Sequence, residues 1–193
     1  MAERLAEYLV SADDYLAWES QQPYKYELID NRIYPMTGAS LSHNYICTKL
    51  AVALDIRLSQ RGCAAYTSDM RVQVEEAGTY TYPDLVVLCT EPRIRPYAEQ
   101  DTLLNPTLLF EILSPSTELI DRKQKHAQYL EIPSLQGYFL VSQGRPLIEA
   151  HTREGDDWRL RIFSGIDATL IIPTPECEIP LSEIYQQMIF ADA

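Results

Sequence analysis

Residues 82–113 read YPDLVVLCTEPRIRPYAEQDTLLNPTLLFEIL, in which two apolar runs flank a polar segment that contains proline. The first run belongs to a strand predicted over residues 80–89, and the second to a strand predicted over residues 107–113. Continuous apolar runs of this length are typical of strands that are buried on both faces. Each strand also carries a carboxylate, because Asp84 opens the first apolar run and Glu111 lies late in the second.

These two carboxylates are candidate metal ligands. Burying a carboxylate in an apolar strand is costly unless it is paired, protonated or bound to a metal. Two carboxylates on neighbouring strands could share one cation, and oxygen ligands suit Mg²⁺ or Mn²⁺. Structural ion pairs also place carboxylates in strands, so Asp84 could instead cap a strand and Glu111 could pair with Arg122 or Lys125. The residues alone leave both interpretations open.

A helical pattern follows over residues 121–131. Asp121, Lys125 and Tyr129 are spaced four residues apart and share one face of a regular helix, while apolar residues such as Ala127 define another side. A solvated face with an Asp–Lys pair is the usual interpretation of such a run. The functional interpretation directs Lys125 toward the two carboxylates.

The rest of the chain alternates short strands with a few helices and carries no repeat or linker. A short helix begins near Ser11, and the longest helical pattern covers residues 40–61, ahead of Gly62. The remaining predicted elements are an N-terminal hairpin (24–29 and 32–36), strands at 64–67, 71–75 and 137–141, an antiparallel meander (147–152, 158–163 and 168–172) and a closing helix (181–189). This order predicts a single α+β domain over residues 1–193, with a mixed β-sheet core flanked by helices and an added antiparallel hairpin or meander.

Composition narrows the class of protein further. The chain has 193 residues, 46% of them hydrophobic and 23% charged, which is typical of a globular protein. It lacks the run of about 20 apolar residues that a membrane helix needs, and its N-terminus lacks the layout of a secretory signal, so we expect no membrane association and a cytoplasmic location. The four cysteines are then interpreted as small, buried, unpaired side chains. The net charge of −12 argues against strong nonspecific binding to nucleic acid.

The motifs resemble a large bacterial family of putative restriction endonucleases, a domain of unknown function in the PD-(D/E)XK nuclease superfamily. The matching segments are the run around Pro83-Asp84, the run from Phe110 to Thr117, the residues Asp121, Arg122, Lys123, Lys125 and Tyr129, the N-terminal hairpin (26–30 and 32–36), Ser42-His43 and the strand 138–141. The resemblance extends roughly from Ser11 to Ile189. It implies a restriction-endonuclease-like fold and Mg²⁺- or Mn²⁺-dependent hydrolysis of phosphodiester bonds in DNA.

The resemblance also implies roles for individual residues. Asp84 and Glu111 would be metal ligands, joined by the main-chain carbonyl of Ile112. Glu27 would contribute from the N-terminal region. His43, which on general grounds is more often a structural hydrogen-bonding residue, becomes a candidate neighbour of the site.

The catalytic lysine is the main departure from the superfamily pattern. The superfamily places a lysine two residues after the glutamate, and that position is Leu113 here. Families with this departure are thought to take the lysine from the following helix, which indicates Lys125, or less strongly Lys123. Tyr129, one turn beyond Lys125, is a second candidate neighbour of the site.

Two other functions are compatible with the sequence. The first is a noncatalytic binding or assembly module that keeps the nuclease fold, which Leu113 and the acidic charge favour. The second is a nuclease-fold enzyme that acts on another phosphate substrate. We also expect a homodimer, because symmetric dimers are the commonest oligomers and the predicted meander leaves an edge strand to be covered.

Overall fold

A computed structural model of the protein describes residues 11–36, 38–74 and 78–188. Two residues of the predicted elements, Glu75 and Ile189, lie outside these ranges. The strands within the described residues are β1 (Tyr26–Ile29), β2 (Arg32–Pro35), β3 (Ala64–Thr67), β4 (Arg71–Val74), β5 (Thr79–Thr81), β6 (Leu85–Leu88), β7 (Ile94–Tyr97), β8 (Gln100–Leu103), β9 (Leu108–Leu113), β10 (Gly137–Ser142), β11 (Leu147–Glu154), β12 (Asp157–Ser164), β13 (Thr169–Pro173) and β14 (Glu176–Pro180).

The helices in the same ranges are α1 (Ala12–Glu19), α2 (Leu41–Leu58), α3 (Glu118–Ile120), α4 (His126–Tyr129) and α5 (Leu181–Tyr185). A 3₁₀ turn, Ser59–Arg61, follows α2. A π-helical segment, Asp121–Lys125, joins α3 to α4, and we call the continuous stretch 118–129 the lysine helix. None of the helices in the described part of the chain is long and apolar enough to cross a membrane.

The central sheet has the strand order β12-β11-β10-β9-β6-β3 and is mixed, because β9 runs parallel to β10 and antiparallel to β6. Both β6 and β9 are buried along their whole length, with an apolar cluster on each face of the sheet. Successive side chains of a strand point to opposite faces. Glu111 therefore shares a face with Leu109 and Leu113, which pack with Tyr129 of the lysine helix.

The opposite face of this sheet is covered by α2. Ser40 caps the helix, since its side-chain oxygen accepts a hydrogen bond from the backbone N–H of His43 at 3.0 Å. The apolar residues at three- and four-residue steps are buried, as their spacing predicts, and Gly62 ends the segment with a φ of +75°. The α+β fold with a mixed sheet flanked by helices is therefore confirmed.

The strand predicted over residues 80–89 is two strands in two different sheets. β5 belongs to a second sheet, of order β2-β1-β5-β4-β8-β7, whereas β6 belongs to the central sheet. Pro83 lies in the break, and since proline has no backbone N–H it cannot continue a ladder in the middle of a sheet. The link of residues 82–84 thus joins the two sheets.

Three other predictions of secondary structure need correction. The polar segment predicted as a loop over residues 90–106 contains the hairpin of β7 and β8 in the second sheet. The predicted meander stops after two strands, because β13 pairs with β14 and not with β12. The closing helix is described only over Leu181–Tyr185.

The sequence had indicated four unpaired cysteines, and this interpretation is wrong for two of them. Cys63 and Cys89 form a disulfide, while Cys47 and Cys177 are free. The antiparallel register of β3 and β6 accounts for the disulfide, because Ala64 pairs with Leu88. Cys63, just before Ala64, is thereby placed opposite Cys89, just after Leu88. A separation of 26 residues gives no hint of this pairing in the sequence.

Candidate active site at the junction of the two sheets

Asp84 and Glu111 meet where the link 82–84 enters the central sheet. Leu85 pairs with Phe110 across β6 and β9, which brings the residue before β6 beside the end of β9. The Oδ2 atom of Asp84 accepts a hydrogen bond from the backbone N–H of Ile112 at 2.7 Å. Asp84, Glu111 and Ile112 all line one cavity of about 550 Å³.

The carbonyl of Ile112 faces the same edge of β9. In an antiparallel ladder, the N–H and C=O of one residue point toward the same neighbouring strand. Because the N–H of Ile112 donates to Asp84, its carbonyl oxygen also points toward the link and not into the ladder with β10. The arrangement therefore gathers two carboxylates and one main-chain carbonyl.

Glu27 arrives from the second sheet, on β1 of the N-terminal hairpin. Asp30 and Asn31 both have positive φ values, 51° and 59°, which suits a two-residue hairpin turn. The Oε1 atom of Glu27 accepts a hydrogen bond from the backbone N–H of Tyr82 at 2.9 Å. Glu27 is buried, and the link 82–84 thus contacts Glu27 of the second sheet through Tyr82 and Ile112 of the central sheet through Asp84.

The ammonium of Lys125 lies at the centre of these carboxylates. It is 3.0 Å from Oε1 of Glu27, 3.1 Å from Oε1 of Glu111 and 3.3 Å from Oδ1 of Asp121. Lys125 is 4% exposed, whereas Lys123 is exposed to solvent. Of these two lysines, Lys125 is the one that the lysine helix directs at Glu111.

The polar face of the lysine helix is its buried face. Asp121, Lys125 and Tyr129 are buried while Ala127, on the other side of the helix, is exposed. The segment Asp121–Lys125 is a π-helix, a form that is frequent at functional sites. Asp121, which the sequence indicated only as a neighbour of Lys125 on the helix surface, is a further member of the cluster.

Burial dominates the electrostatics of the cluster. It raises the pKa of Glu111 well above its usual value, although the Lys125 ammonium acts in the opposite direction, and it raises the pKa of Glu27 in the same way. Burial acts to lower the pKa of Lys125, but the carboxylates of Glu111 and Glu27 outweigh it and raise that pKa well above its usual value. The Lys125 ammonium is therefore surrounded by three acidic side chains, those of Glu27, Glu111 and Asp121.

Tyr129 and His43 contact the two central carboxylates. The Tyr129 hydroxyl donates to Oε1 of Glu111 at 3.0 Å and lies 2.8 Å from the hydroxyl oxygen of Thr81. The Nε2 atom of His43, at the start of α2, lies 3.1 Å from Oδ1 of Asp84. Thr81 carried no signal in the sequence, because a lone threonine in a strand is unremarkable without its tertiary neighbours.

The donor atoms suit a hard divalent cation. Within the described residues, no three His, Cys, Asp or Glu side chains are grouped so as to hold a metal ion by themselves. Mg²⁺, however, is commonly held by one or two carboxylates together with water and substrate phosphate. Both hydrogen bonds that the described residues make to the Glu111 side chain end on Oε1, so its second oxygen is the one left for an ion. Asp84, Glu111 and the Ile112 carbonyl therefore fit such a group chemically.

Comparisons with known proteins place these features in a family. The Uma2 family model, described as a putative restriction endonuclease, matches residues 12–182. Two uncharacterized proteins of Synechocystis sp. strain PCC 6803 are similar: sll1609 is 34% identical over 163 residues, covering 84% of this chain and 92% of that protein, and slr1290 is 36% identical over 159 residues, covering 82% of each. A crystal structure from Anabaena variabilis ATCC 29413, of a putative nuclease belonging to DUF820, has a similar fold. Its TM-score is 0.76 at 17% sequence identity, and the match covers 92% of this chain and 98% of that one.

Proposed function

Because this chain belongs to the Uma2 family of putative restriction endonucleases, we propose that it is a metal-dependent endonuclease that hydrolyses phosphodiester bonds in DNA. The observation that carries the proposal is the contact of the buried Lys125 ammonium with Glu111, in the cavity that Asp84 also lines. These are the charges that phosphodiester hydrolysis needs in one place. The Anabaena protein of similar fold is itself described as a putative nuclease, which agrees with this proposal.

Asp84, Glu111 and the carbonyl of Ile112 are the proposed ligands of a Mg²⁺ or Mn²⁺ ion. Such an ion, when bound, makes a coordinated water nucleophilic and stabilises negative charge on the phosphate. The backbone N–H of Ile112 fixes the Asp84 carboxylate through its Oδ2 atom. The other oxygen of Asp84, Oδ1, lies 3.1 Å from Nε2 of His43.

Lys125 is the proposed cation that stabilises charge developing on the phosphate. Leu113 cannot take this role, because its side chain is apolar and packs in the core. Glu27 holds Lys125 by direct contact while it accepts a hydrogen bond from Tyr82. Tyr129 donates a second hydrogen bond, from its hydroxyl, to the same oxygen of Glu111. Preorganised charges of this kind act without rearrangement during the reaction.

We propose further that the protein acts in the cytoplasm as a homodimer. β12 is an edge strand of the central sheet as described, and Leu160 and Ile162 on it are 50% and 60% exposed. Apolar side chains on an edge strand favour association with another chain. A second copy of this strand would cover them.

A cleavage assay tests the catalytic proposal. Plasmid and single-stranded DNA are incubated with Mg²⁺ or Mn²⁺, and the wild type is compared with Asp84→Asn and Glu111→Gln, which remove charge but keep the shape of each side chain. Asp167→Asn is the matched control, because Asp167 is exposed in the turn after β12. The proposal is supported if the wild type and the control cleave DNA and the Asp84→Asn and Glu111→Gln proteins do not. A wild type that binds DNA without cleaving it would instead favour the noncatalytic module.

A further inference from the structure

A second cavity, of about 510 Å³, shares Tyr82 with the cavity of the candidate active site. It is formed where the end of α1 and the segment after it meet the turn between β7 and β8. Cavities of roughly 300–1,000 Å³ are the size that holds small organic ligands. The proposed reaction uses none of the other residues that line this cavity.

Arg71 lines this cavity and carries a hydrogen-bond donor that has no acceptor in the described part of the chain. Its side chain is 1% exposed, and its Nη1 and Nε atoms donate to Oε2 of Glu19 and to the hydroxyl oxygen of Thr102, each at 2.8 Å. The remaining nitrogen, Nη2, is buried and has no hydrogen-bond partner among the described residues. An unsatisfied buried donor is costly, so an acceptor brought by a ligand would be stabilised there.

The charges around Arg71 favour a neutral acceptor over an anion. Glu19 already neutralises the guanidinium, and Glu99 lines the same cavity. Lys25, the other basic residue of the lining, is paired with Asp69. A phosphate group here would be repelled by the carboxylate of Glu99, whereas a neutral carbonyl oxygen would not.

Aromatic rings supply the walls of the cavity. Tyr24 and Tyr97 both line it, and Tyr24 is 73% exposed although its ring is large and apolar. Tyrosine rings in exposed grooves are stacking surfaces for nucleobases. A flat ligand with a carbonyl on its edge therefore matches both the walls and the free donor.

We infer that this second cavity binds one unpaired nucleobase of a DNA strand whose backbone lies in the active-site cavity, an inference that rests on the proposed function. The base stacks on Tyr24 and Tyr97, and its carbonyl oxygen accepts a hydrogen bond from Nη2 of Arg71. Thymine, cytosine and guanine carry such a carbonyl, whereas adenine does not. The cavity therefore selects single-stranded or locally opened DNA and discriminates against adenine at one position.

Binding of single-stranded DNA tests the inference without any need for cleavage. The Asp84→Asn protein is titrated with fluorescent oligothymidylate and oligoadenylate, and binding is followed by fluorescence anisotropy. We expect tighter binding of oligothymidylate, and a loss of about tenfold in that affinity when Tyr24→Ala is added, as is typical of one stacked base. Ile56→Ala is the matched control, because Ile56 is 67% exposed on α2 and lines neither cavity. It should leave the affinity unchanged.

Photocrosslinking locates the bound base directly. Oligothymidylate carrying a single 5-iodouracil is irradiated with the same protein, and the crosslinked peptide is identified by mass spectrometry. Crosslinks at Tyr24 or Tyr97 support the inference. Crosslinks confined to other tyrosines, equal affinities for the two oligonucleotides, undiminished binding by the Tyr24→Ala protein, or no binding at all would each overturn it.

The outcomes separate this inference from the proposed function. A wild type that crosslinks at Tyr24 but never cleaves DNA with Mg²⁺ or Mn²⁺ would uphold the base cavity and defeat the catalytic proposal. A wild type that cleaves DNA while Tyr24→Ala leaves affinity and crosslinking unchanged would uphold the catalytic proposal and defeat the base cavity.

Discussion

The Lys125 ammonium lies 3.1 Å from Oε1 of Glu111, across a separation of 14 residues and from a different element of the fold. The position two residues after Glu111, Leu113, is instead buried in an apolar cluster. A lysine is thus presented to Glu111 from the neighbouring helix, and not from the position two residues further along the strand.

Replacing Lys125 should affect activity and stability together. Lys125→Met should lower DNA cleavage by about 10²-fold or more, the usual effect of losing a charge contact in the transition state. It should also lower the free energy of unfolding by about 3–5 kcal/mol, because removing one partner of a buried ion pair leaves the other charges uncompensated. Urea unfolding and single-turnover cleavage measure the two effects. Lys123→Met is the matched control, and a Lys125→Met protein with wild-type activity would end the argument for a lysine on the helix.

Metal binding should stabilise the fold through Asp84. At a metal concentration of 100 times Kd, the free energy of unfolding should rise by about 2.7 kcal/mol, because the ion binds only the folded state. Asp84→Asn should abolish most of this rise, while its side-chain oxygen still accepts from the N–H of Ile112. Thermal melts with and without Mn²⁺ measure the effect, with Asp167→Asn as the control. Equal stabilisation of Asp84→Asn and wild type would exclude Asp84 as a ligand.

The histidine pair on the outer side of the lysine helix should make stability depend on pH. Nε2 of His126 lies 3.1 Å from Nδ1 of His151, and burial lowers the pKa of His151 to about 4 and also lowers that of His126. With an ordinary pKa of about 6.5, the unfolded chain binds more protons than the folded chain as pH falls from 6.5 to 4. The free energy of unfolding should therefore fall in this window, by about 1–2 kcal/mol after allowance for solvent screening at the partly exposed pair.

Urea unfolding at pH 7 and pH 4.5 measures this loss. Carboxylates contribute a pH dependence of their own, so the test compares wild type with His151→Phe. The variant should lose less stability than the wild type on acidification. Parallel losses in the two proteins would show that the histidine pair has no part in the effect.

Dimerisation should depend on the exposed face of β12. Ile162→Lys places a charge within the proposed contact and should convert a dimer into a monomer, which multi-angle light scattering detects at micromolar concentration. Ile56→Lys, an equally exposed substitution on α2, should leave the dimer intact. A wild type that is monomeric under these conditions contradicts the proposal.

The apolar patterns made much of the central sheet predictable. Leu85–Leu88 and Leu108–Leu113 were recognisable as buried strands because burial on both faces requires unbroken apolar runs. The hairpin of β7 and β8 was missed because Ile94–Tyr97 is largely exposed and shows no apolar alternation. The hairpin joins the second sheet because β8 pairs with the backbone of β4, and a local sequence pattern does not indicate such a distant pairing.

The candidate site was predictable where spacing alone brought side chains together. The four-residue step from Asp121 to Lys125 to Tyr129 identified one face of the lysine helix. That this charged face is buried was not predictable, since a charged run is normally solvated. It is buried because Glu27 and Glu111, from two different sheets, supply the countercharges.

The link of residues 82–84 has a consequence for the folding of the protein. Glu27 belongs to one sheet and Glu111 to the other, and Tyr82 and Asp84 lie between them. A chain in which only one sheet has formed therefore holds no complete charge cluster. Assembly of the candidate site during synthesis or refolding thus requires both sheets to be in place.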